Sequence, residues 1–366
     1  MIPNPFRPSF GVTPPLLAGR DNEILAFGDA IDDGPGAPGR ATLYTGVRGI
    51  GKTVMLNEAE SQARQRGWIV VSETAVPGLV DRLTAHRLPE AAAALEMSST
   101  GRRVTAVAFP FHLGGLTWQP PAAEDRPDLR AQLTALTDHL ADNGTGLLLT
   151  VDELHRADRP GLRELAATVQ HCFREERPLA FAGAGLPTAI ADLLNDDVLT
   201  FLRRADRYSL GAVDPADVAD AIRTPLIDAG YTITEPALQV ATTGTGGYPF
   251  LIQLVGFWIC KLASTTTAGE AGLIDETTAA AGVQAARRRL GSLIHEPALR
   301  DLSHVDRTFL AAMAIDDGPS KMADVAARLA ADANYTSQYR LRLIAADMIY
   351  PAGHGHVDFT LPYLRD

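Results

Sequence analysis

The chain has 366 residues, 46% apolar and 21% charged side chains, and a formal net charge of −11. These are the values of a globular chain of two or three domains and exclude extended disorder. The acidic balance excludes a surface that coats nucleic acid throughout, so any such contact has to be local.

In chain order, the proline-rich start "MIPNPFRPSF" lacks the basic-then-apolar layout of a signal peptide. "ATLYTG" reads as a short buried strand ended by Gly46, the segment from Lys52 to Arg66 as a helix that stops at Gly67, and "WIVVSETAV" as a second strand. Strand, glycine loop, helix and strand make a βαβ unit. "RRVTAVAFPFHLGGLTW", Arg102 to Trp118, alternates around Gly114 and Gly115 and reads as an inserted hairpin. A helix from about Asp128 to Asp142, the strand "GLLLTVDE", a helix from about Pro160 to Glu175, and the strands "PLAFAGAG" and "RYSLGAV" follow. Strands alternating with helices over this length predict a doubly wound α/β domain.

From Asp214 the pattern turns helical. Asp214 reads as an N-cap with Pro215 at N1, "GTGGYPF" breaks the helical region, and "HEP" at His295 to Pro297 marks a boundary. The longest apolar stretch, Pro249 to Ala263, is interrupted by Gln253 and Lys261 and is too short for a bilayer, so a cytoplasmic protein is expected. The last segment reads as three helices and two β-prone runs around a Gly-His-Gly turn, the layout of a winged helix. Cys172 and Cys260, with no CxxC and no His pair at ligand spacing, read as buried free thiols.

Two motifs carry chemistry. Gly46, Val47, Arg48, Gly49, Ile50, Gly51, Lys52 and Thr53 fit G-x-x-x-x-G-K-[ST], with Val54 continuing into the helix. Such a loop cradles phosphates with backbone N–H groups and a helix N-terminus; Lys52 would reach the β/γ-phosphates and the Thr53 hydroxyl would ligate Mg²⁺. Lysine is otherwise confined to Lys261 and Lys321. "LLLTVDE" ends a buried strand with Asp152, suited to Mg²⁺, and Glu153, suited to polarising an attacking water. The expected cofactors are ATP and Mg²⁺. His155 reads as a surface-helix residue more readily than as one facing the site.

The leader "VTPPLLAGRDNEI", the Walker A loop, "VDE", "GAGLP" and "GGYPF", in that order, resemble bacterial AAA+ ATPases. Within them the chain is similar to the branch shared by archaeal-type initiator (origin-recognition) ATPases and STAND switch ATPases. The resemblance implies an α/β P-loop NTPase base with a doubly wound parallel sheet over residues 1–211, an all-helical lid over 212–296, and a C-terminal winged-helix domain over 297–366. It makes Leu17 to Arg20 part of the adenine-side box and Gly246 to Phe250 the lid turn, with Tyr248 and Pro249 near the adenine or ribose. It places Arg203 or Arg204 where a neighbouring subunit's nucleotide meets an arginine, a cation that would stabilise charge on the γ-phosphate. "LAFAGAG" offers only Ala and Gly where many relatives place a polar sensor, and no Arg occupies "GGYPF"; both imply a slow ATPase switch.

In a winged helix the third helix, here about Tyr335 to Ala346, would enter a major groove with Gln338, Arg340 and Arg342, while His354 and His356 brush the backbone. Residues 297–366 carry seven cations against nine aspartates, few for counterion release. Two partners stay open: double-stranded DNA, for regulation or initiation, and a protein effector or neighbouring subunit docked on the winged helix. A chain that holds nucleotide without turning it over is the third possibility.

Overall fold

The computed structural model describes residues 2–9, 11–99, 127–194, 200–264 and 272–365. Contacts divide the chain into two compact units, Asn22–Thr45 with Lys52–Ser209, and Met1–Asp21 with Gly46–Gly51 and Leu210–Asp366.

The first of these is a parallel sheet between helices. Strands β1 (Ala41–Thr45), β2 (Ile69–Thr74), β3 (Leu147–Asp152), β4 (Leu179–Gly185) and β5 (Asp206–Ser209) lie in the order β2-β3-β4-β1-β5. All four pairings are parallel. Every residue of β4 is buried, as are five of the six in β3, which explains their unbroken apolar character. β5, at the edge, alternates and carries polar residues. The flanking helix Leu129–Asp142 is capped by Asp128, which accepts from Ala131 N, and Arg159–Arg174 by Asp158, which accepts from Gly161 N. Leu133, Leu140, Val169 and Phe181 join Leu147 and Leu149 in one core.

The registers Thr45↔Gly185 and Val151↔Gly183 bring the ends of β1 and β3 to one edge, on either side of β4. The glycine loop leaves from the first and the acid pair from the second. That edge is where a doubly wound sheet presents its ligands.

Leu79–Arg82, Leu88–Ser99, Pro187–Leu194 and Asp21–Asp32 are helices that the sequence pattern does not announce. The first two have a physical reason. Pro89 looks like a breaker, yet it sits in the first turn of Leu88–Ser99, where its missing N–H costs nothing. A π-turn, Leu83–Arg87, joins that helix to Leu79–Arg82. The same device recurs at the expected "HEP" boundary: Gly291–His295 is a π-turn and Pro297 lies in the first turn of Glu296–Arg300. Helical backbone therefore continues from Glu276 to Arg300, and the chain does not break at His295. The expected hairpin from Arg102 to Trp118 lies outside the described residues.

In the other unit, helices Pro215–Asp228, Glu235–Thr245, Pro249–Ala263 and Glu276–Leu290 pack together, with a two-stranded parallel pair, Thr232–Ile233 with Leu273–Ile274, against Pro215–Asp228 and Pro249–Ala263. Asp214 is the N-cap residue as expected, but its side chain makes no capping hydrogen bond. The apolar stretch Pro249–Ala263 is buried on nearly all sides because the N-terminal segment packs on it. Phe6 fills the space over Gly256, and Asn4 Nδ2 donates to Phe257 O at 3.0 Å. Helices His304–Met313, Met322–Arg328 and Ala333–Ala345 complete the unit with an antiparallel sheet in which His356–Phe359 pairs with Ser320–Lys321 and with Ile349–Pro351. Among the described residues no helix is long and apolar enough to cross a membrane.

Candidate functional site

β1 ends at Thr45, and the helix Lys52–Gln65 starts at the far end of the glycine loop. The glycines are required by close approach. A Cβ on Gly46 would come within 2.9 Å of Leu210 O, and one on Gly49, at φ +74°, would overlap the Tyr248 hydroxyl. That hydroxyl donates to Arg48 O, so Tyr248 is laid directly along the loop. The ring is buried, and burial together with the Asp347 carboxylate pushes the phenol pKa up, which keeps the group a donor.

Residues 210–213 gather pieces that the sequence scatters. Leu210 packs on Gly46, Gly211 O accepts from Arg20 Nη2 at 2.5 Å, and Val213 N donates to Gly247 O at 2.8 Å. Arg20, the loop and the Gly246–Phe250 turn thus share one scaffold, with Leu17 half-buried just upstream and Pro249 opening the helix Pro249–Ala263. The pattern of residues 207–213 predicts one strand. The strand stops at Ser209, and the four residues after it do this linking instead.

At the sheet edge the acid pair meets the helix. Lys52 is buried, and Thr53 Oγ1 donates to Asp152 Oδ2 at 2.6 Å. Asp152 Oδ1 accepts from Glu153 N at 2.7 Å. Glu153 takes a left-handed backbone, φ 55°, where the chain turns out of β3 into the short 3₁₀ turn Leu154–Arg156. Its carboxylate lies 3.1 Å from His155 Nε2 and 3.5 Å from Arg156 Nε. The His155 hydrogen bond chiefly holds the Glu153 pKa below the ordinary carboxylate range; burial opposes this, and the charges of His155, Lys52 and Arg156 add to it. His155, expected on a surface helix, therefore faces the site: the left-handed residue before it swings its ring back over the carboxylate. Its Nδ1 is buried without a hydrogen-bond partner.

An oxygen pair of one hydroxyl and one carboxylate suits Mg²⁺, which takes most of its remaining ligands from phosphates and water. Among the described residues no cluster of three or more His, Cys, Asp or Glu could hold a metal by itself. β4, between the two ends, contributes no polar side chain, since its sequence is Leu-Ala-Phe-Ala-Gly-Ala-Gly.

Arg203 and Arg204 are exposed on the 3₁₀ turn Thr200–Arg204, and Arg203 Nε donates to Leu194 O at 2.6 Å. The register Thr42↔Asp206 puts them at the end of the sheet where β1 begins, opposite the end that runs into the loop. On the helix Ala333–Ala345, Gln338 is exposed and Arg340 half-buried, whereas Arg342 Nη2 is engaged 3.0 Å from the buried Asp306 Oδ2.

Residues 16–182 match the AAA ATPase domain. Residues 292–366 match a family described as a domain of unknown function, DUF8462. The Walker-type ATPase of Pyrococcus abyssi is 14% identical, with a TM-score of 0.66 over 95% of each chain. The ORC2 protein of Aeropyrum pernix, solved in ADPNP–ADP complexes, is 14% identical, with a TM-score of 0.62 over 97% of this chain and 93% of that one. At such identities the likeness is one of fold. No curated protein matches the chain. The chain thus has an AAA+ P-loop fold, and its Walker A loop and acid pair fall within the segment that matches the ATPase domain.

Proposed function

We propose that the protein is an ATP- and Mg²⁺-binding AAA+ switch that hydrolyses ATP slowly and passes its nucleotide state to a C-terminal winged helix. The observation that carries this reading is the 2.6 Å hydrogen bond from Thr53 to Asp152, which joins the two motifs at the sheet edge. Lys52 and the loop N–H groups hold the phosphates. Mg²⁺, when bound by Thr53 and Asp152, neutralises charge on them. Glu153 orients the attacking water and takes its proton, and His155 fixes the direction of that carboxylate. Leu17, Arg20, Tyr248 and Pro249 border the base and ribose. A β4 without polar side chains leaves fewer donors for the γ-phosphate, which supports slow turnover. ATPase rates of the wild type, Lys52→Ala and Glu153→Gln test the reading. Both variants should lose nearly all turnover while Glu153→Gln still binds ATP; three equal rates would exclude this site.

Arg203 supports assembly, because its end of the sheet lies opposite its own loop and it can serve only a neighbouring copy's nucleotide. Mass in solution with and without ATP tests that step. The order of the leader, "GAGLP" and "GGYPF" motifs supports the branch of archaeal-type initiators and STAND switches.

Three helices with the strand order Ser320–Lys321, His356–Phe359, Ile349–Pro351 support a winged helix at residues 297–366. A specific observation favours a protein partner over duplex DNA there. Arg328, Arg342 and Arg365 are each paired with an aspartate of the same segment. Tyr335 and Leu341 stand 41% and 61% exposed on the third helix. Clustered free cations are what duplex binding needs, and exposed aromatic and aliphatic side chains are what protein docking uses. Salt-sensitive duplex binding by the ATP-loaded protein would reverse that preference.

A further inference from the structure

A cavity of about 920 Å³ opens at the opposite end of the sheet from the glycine loop, where β1 begins and the helix Arg159–Arg174 ends. Five arginines line it against a single glutamate, Glu176, in a chain whose net charge is −11. Two of the five are committed elsewhere: Arg177 pairs with Asp138 and Glu175, and Arg203 Nε donates to Leu194 O.

Arg40 is the informative member. It is 5% exposed, its guanidinium stacks over Trp68 at 5.0 Å, and its Nε is buried with no hydrogen-bond partner. It forms no ion pair among the described residues. Burial lowers its pKa to about 10, so it still carries its charge at neutral pH. A buried charge without a counter-charge is costly, and folded chains retain one where a partner completes it. Stacking on an indole leaves the guanidinium edge, with its fork of donors, for that partner. Beside it Arg174 Nη2 donates to His171 Nδ1 at 3.1 Å, which turns the imidazole's other nitrogen into a donor as well. Arg204 lines the same cavity and is exposed. Planar guanidinium donors match phosphoryl oxygens, which accept two hydrogen bonds side by side, and burial over Trp68 fixes that of Arg40.

We propose that this cavity is a second anion site, separate from the glycine loop, that binds a small phosphoryl-bearing molecule on Arg40, His171, Arg174 and Arg204. None of these residues belongs to the loop or the acid pair; Arg204 alone is shared with the ATPase reading, as the alternative to Arg203.

Inorganic pyrophosphate is the probe, titrated by calorimetry into full-length Lys52→Ala so that the glycine loop is silenced. The expected result is saturable binding of one pyrophosphate per chain, weakened at least about tenfold by adding Arg40→Gln, the scale of losing a charge-assisted bidentate contact. Arg174→Gln, an exposed change that leaves the core intact, should weaken it about threefold or more, and it keeps the test valid if Arg40→Gln fails to fold. Arg340→Gln, in the other unit, should leave it unchanged. Absence of saturable binding to Lys52→Ala, or equal weakening by Arg340→Gln, overturns the proposal.

Discussion

Replacing Tyr248 with Phe removes one atom, the hydroxyl that donates to Arg48 O, and leaves the buried ring in place. A hydrogen bond between neutral groups contributes about 0.5–1.5 kcal/mol net. The bond is only partly buried and Arg48 itself is exposed, so no full penalty for an unsatisfied buried group is added. If that bond holds the loop in its phosphate-binding shape, the whole of it should reappear as lost affinity, about two- to tenfold in the dissociation constant for ATP. The assay is displacement of a fluorescent nucleotide at saturating Mg²⁺, with melting temperature followed in parallel. Tyr248→Phe should weaken ATP with little change in melting. Tyr248→Ala, which also empties a buried ring site at a cost of about 3–5 kcal/mol, should do both. An unchanged dissociation constant in Tyr248→Phe would show that the Gly246–Phe250 turn does not shape the loop.

Asp152→Asn keeps the size of the group but removes the charge beside Thr53; the Mg²⁺ concentration needed for half-maximal ATPase activity should rise about ten- to hundredfold, and an unchanged midpoint would remove Asp152 from the metal site. Asp316 is held to about 2 from its ordinary 3.8, first by its hydrogen bond with Arg328 and then by that with Ser320. Its folded pKa is depressed, so its contribution to stability is fully present above the unfolded value and fades as pH falls from about 4 towards about 2. Carboxyl chemical shifts in an acid titration should show Asp316 titrating well below the ordinary range, and Arg328→Met should move it back up towards that range; a midpoint unmoved by Arg328→Met would contradict the pairing. Burial pushes the thiols of Cys172 and Cys260 up to about 11 and about 12. Ellman's reagent should therefore label neither in the native protein at pH 8 and both after denaturation; a fast-reacting native thiol would contradict the packing around them.

The parts of this molecule that were legible in the sequence are those where one local rule governs. β3 and β4 announce themselves because strands covered on both faces need unbroken apolar runs, and the loop announces itself because only glycines tolerate its close approaches. The helices around Pro89 and Pro297 were hidden for the converse reason. Each proline reads as a stop, and it is tolerated because a π-turn ends just before it and leaves it in a first turn. His155 was hidden because its direction depends on the single left-handed residue Glu153, which no spacing rule records. The linking role of 210–213 depends on three partners distant in sequence. Arg40 was invisible altogether: nothing in "GRATLY" says that its side chain will be buried over Trp68 without an acid.

The sheet's polarity carries a consequence for how such a protein works. In a parallel sheet every strand points the same way, so the loop and acid pair collect at the C-terminal ends, and whatever precedes the strands collects at the other. Here the N-terminal ends carry Arg40, Arg203 and Arg204, together with the arginine-bearing end of Arg159–Arg174. One edge is therefore built to receive phosphates through backbone N–H groups and the other through guanidinium groups. β1 alone is five residues long, about 16 Å of extended chain, which is too far for an arginine side chain to reach back to its own loop. A cation at that end can act on a phosphate only if the phosphate arrives with another molecule. For Arg203 the proposed carrier is a second copy of the chain, which demands assembly; for Arg40 it is a free ligand, which does not. Dilution separates the two. Turnover per chain that falls as the protein is diluted below its assembly range, while pyrophosphate binding to Lys52→Ala stays constant, would fit both roles. Turnover that holds constant on dilution would leave Arg203 without a catalytic part.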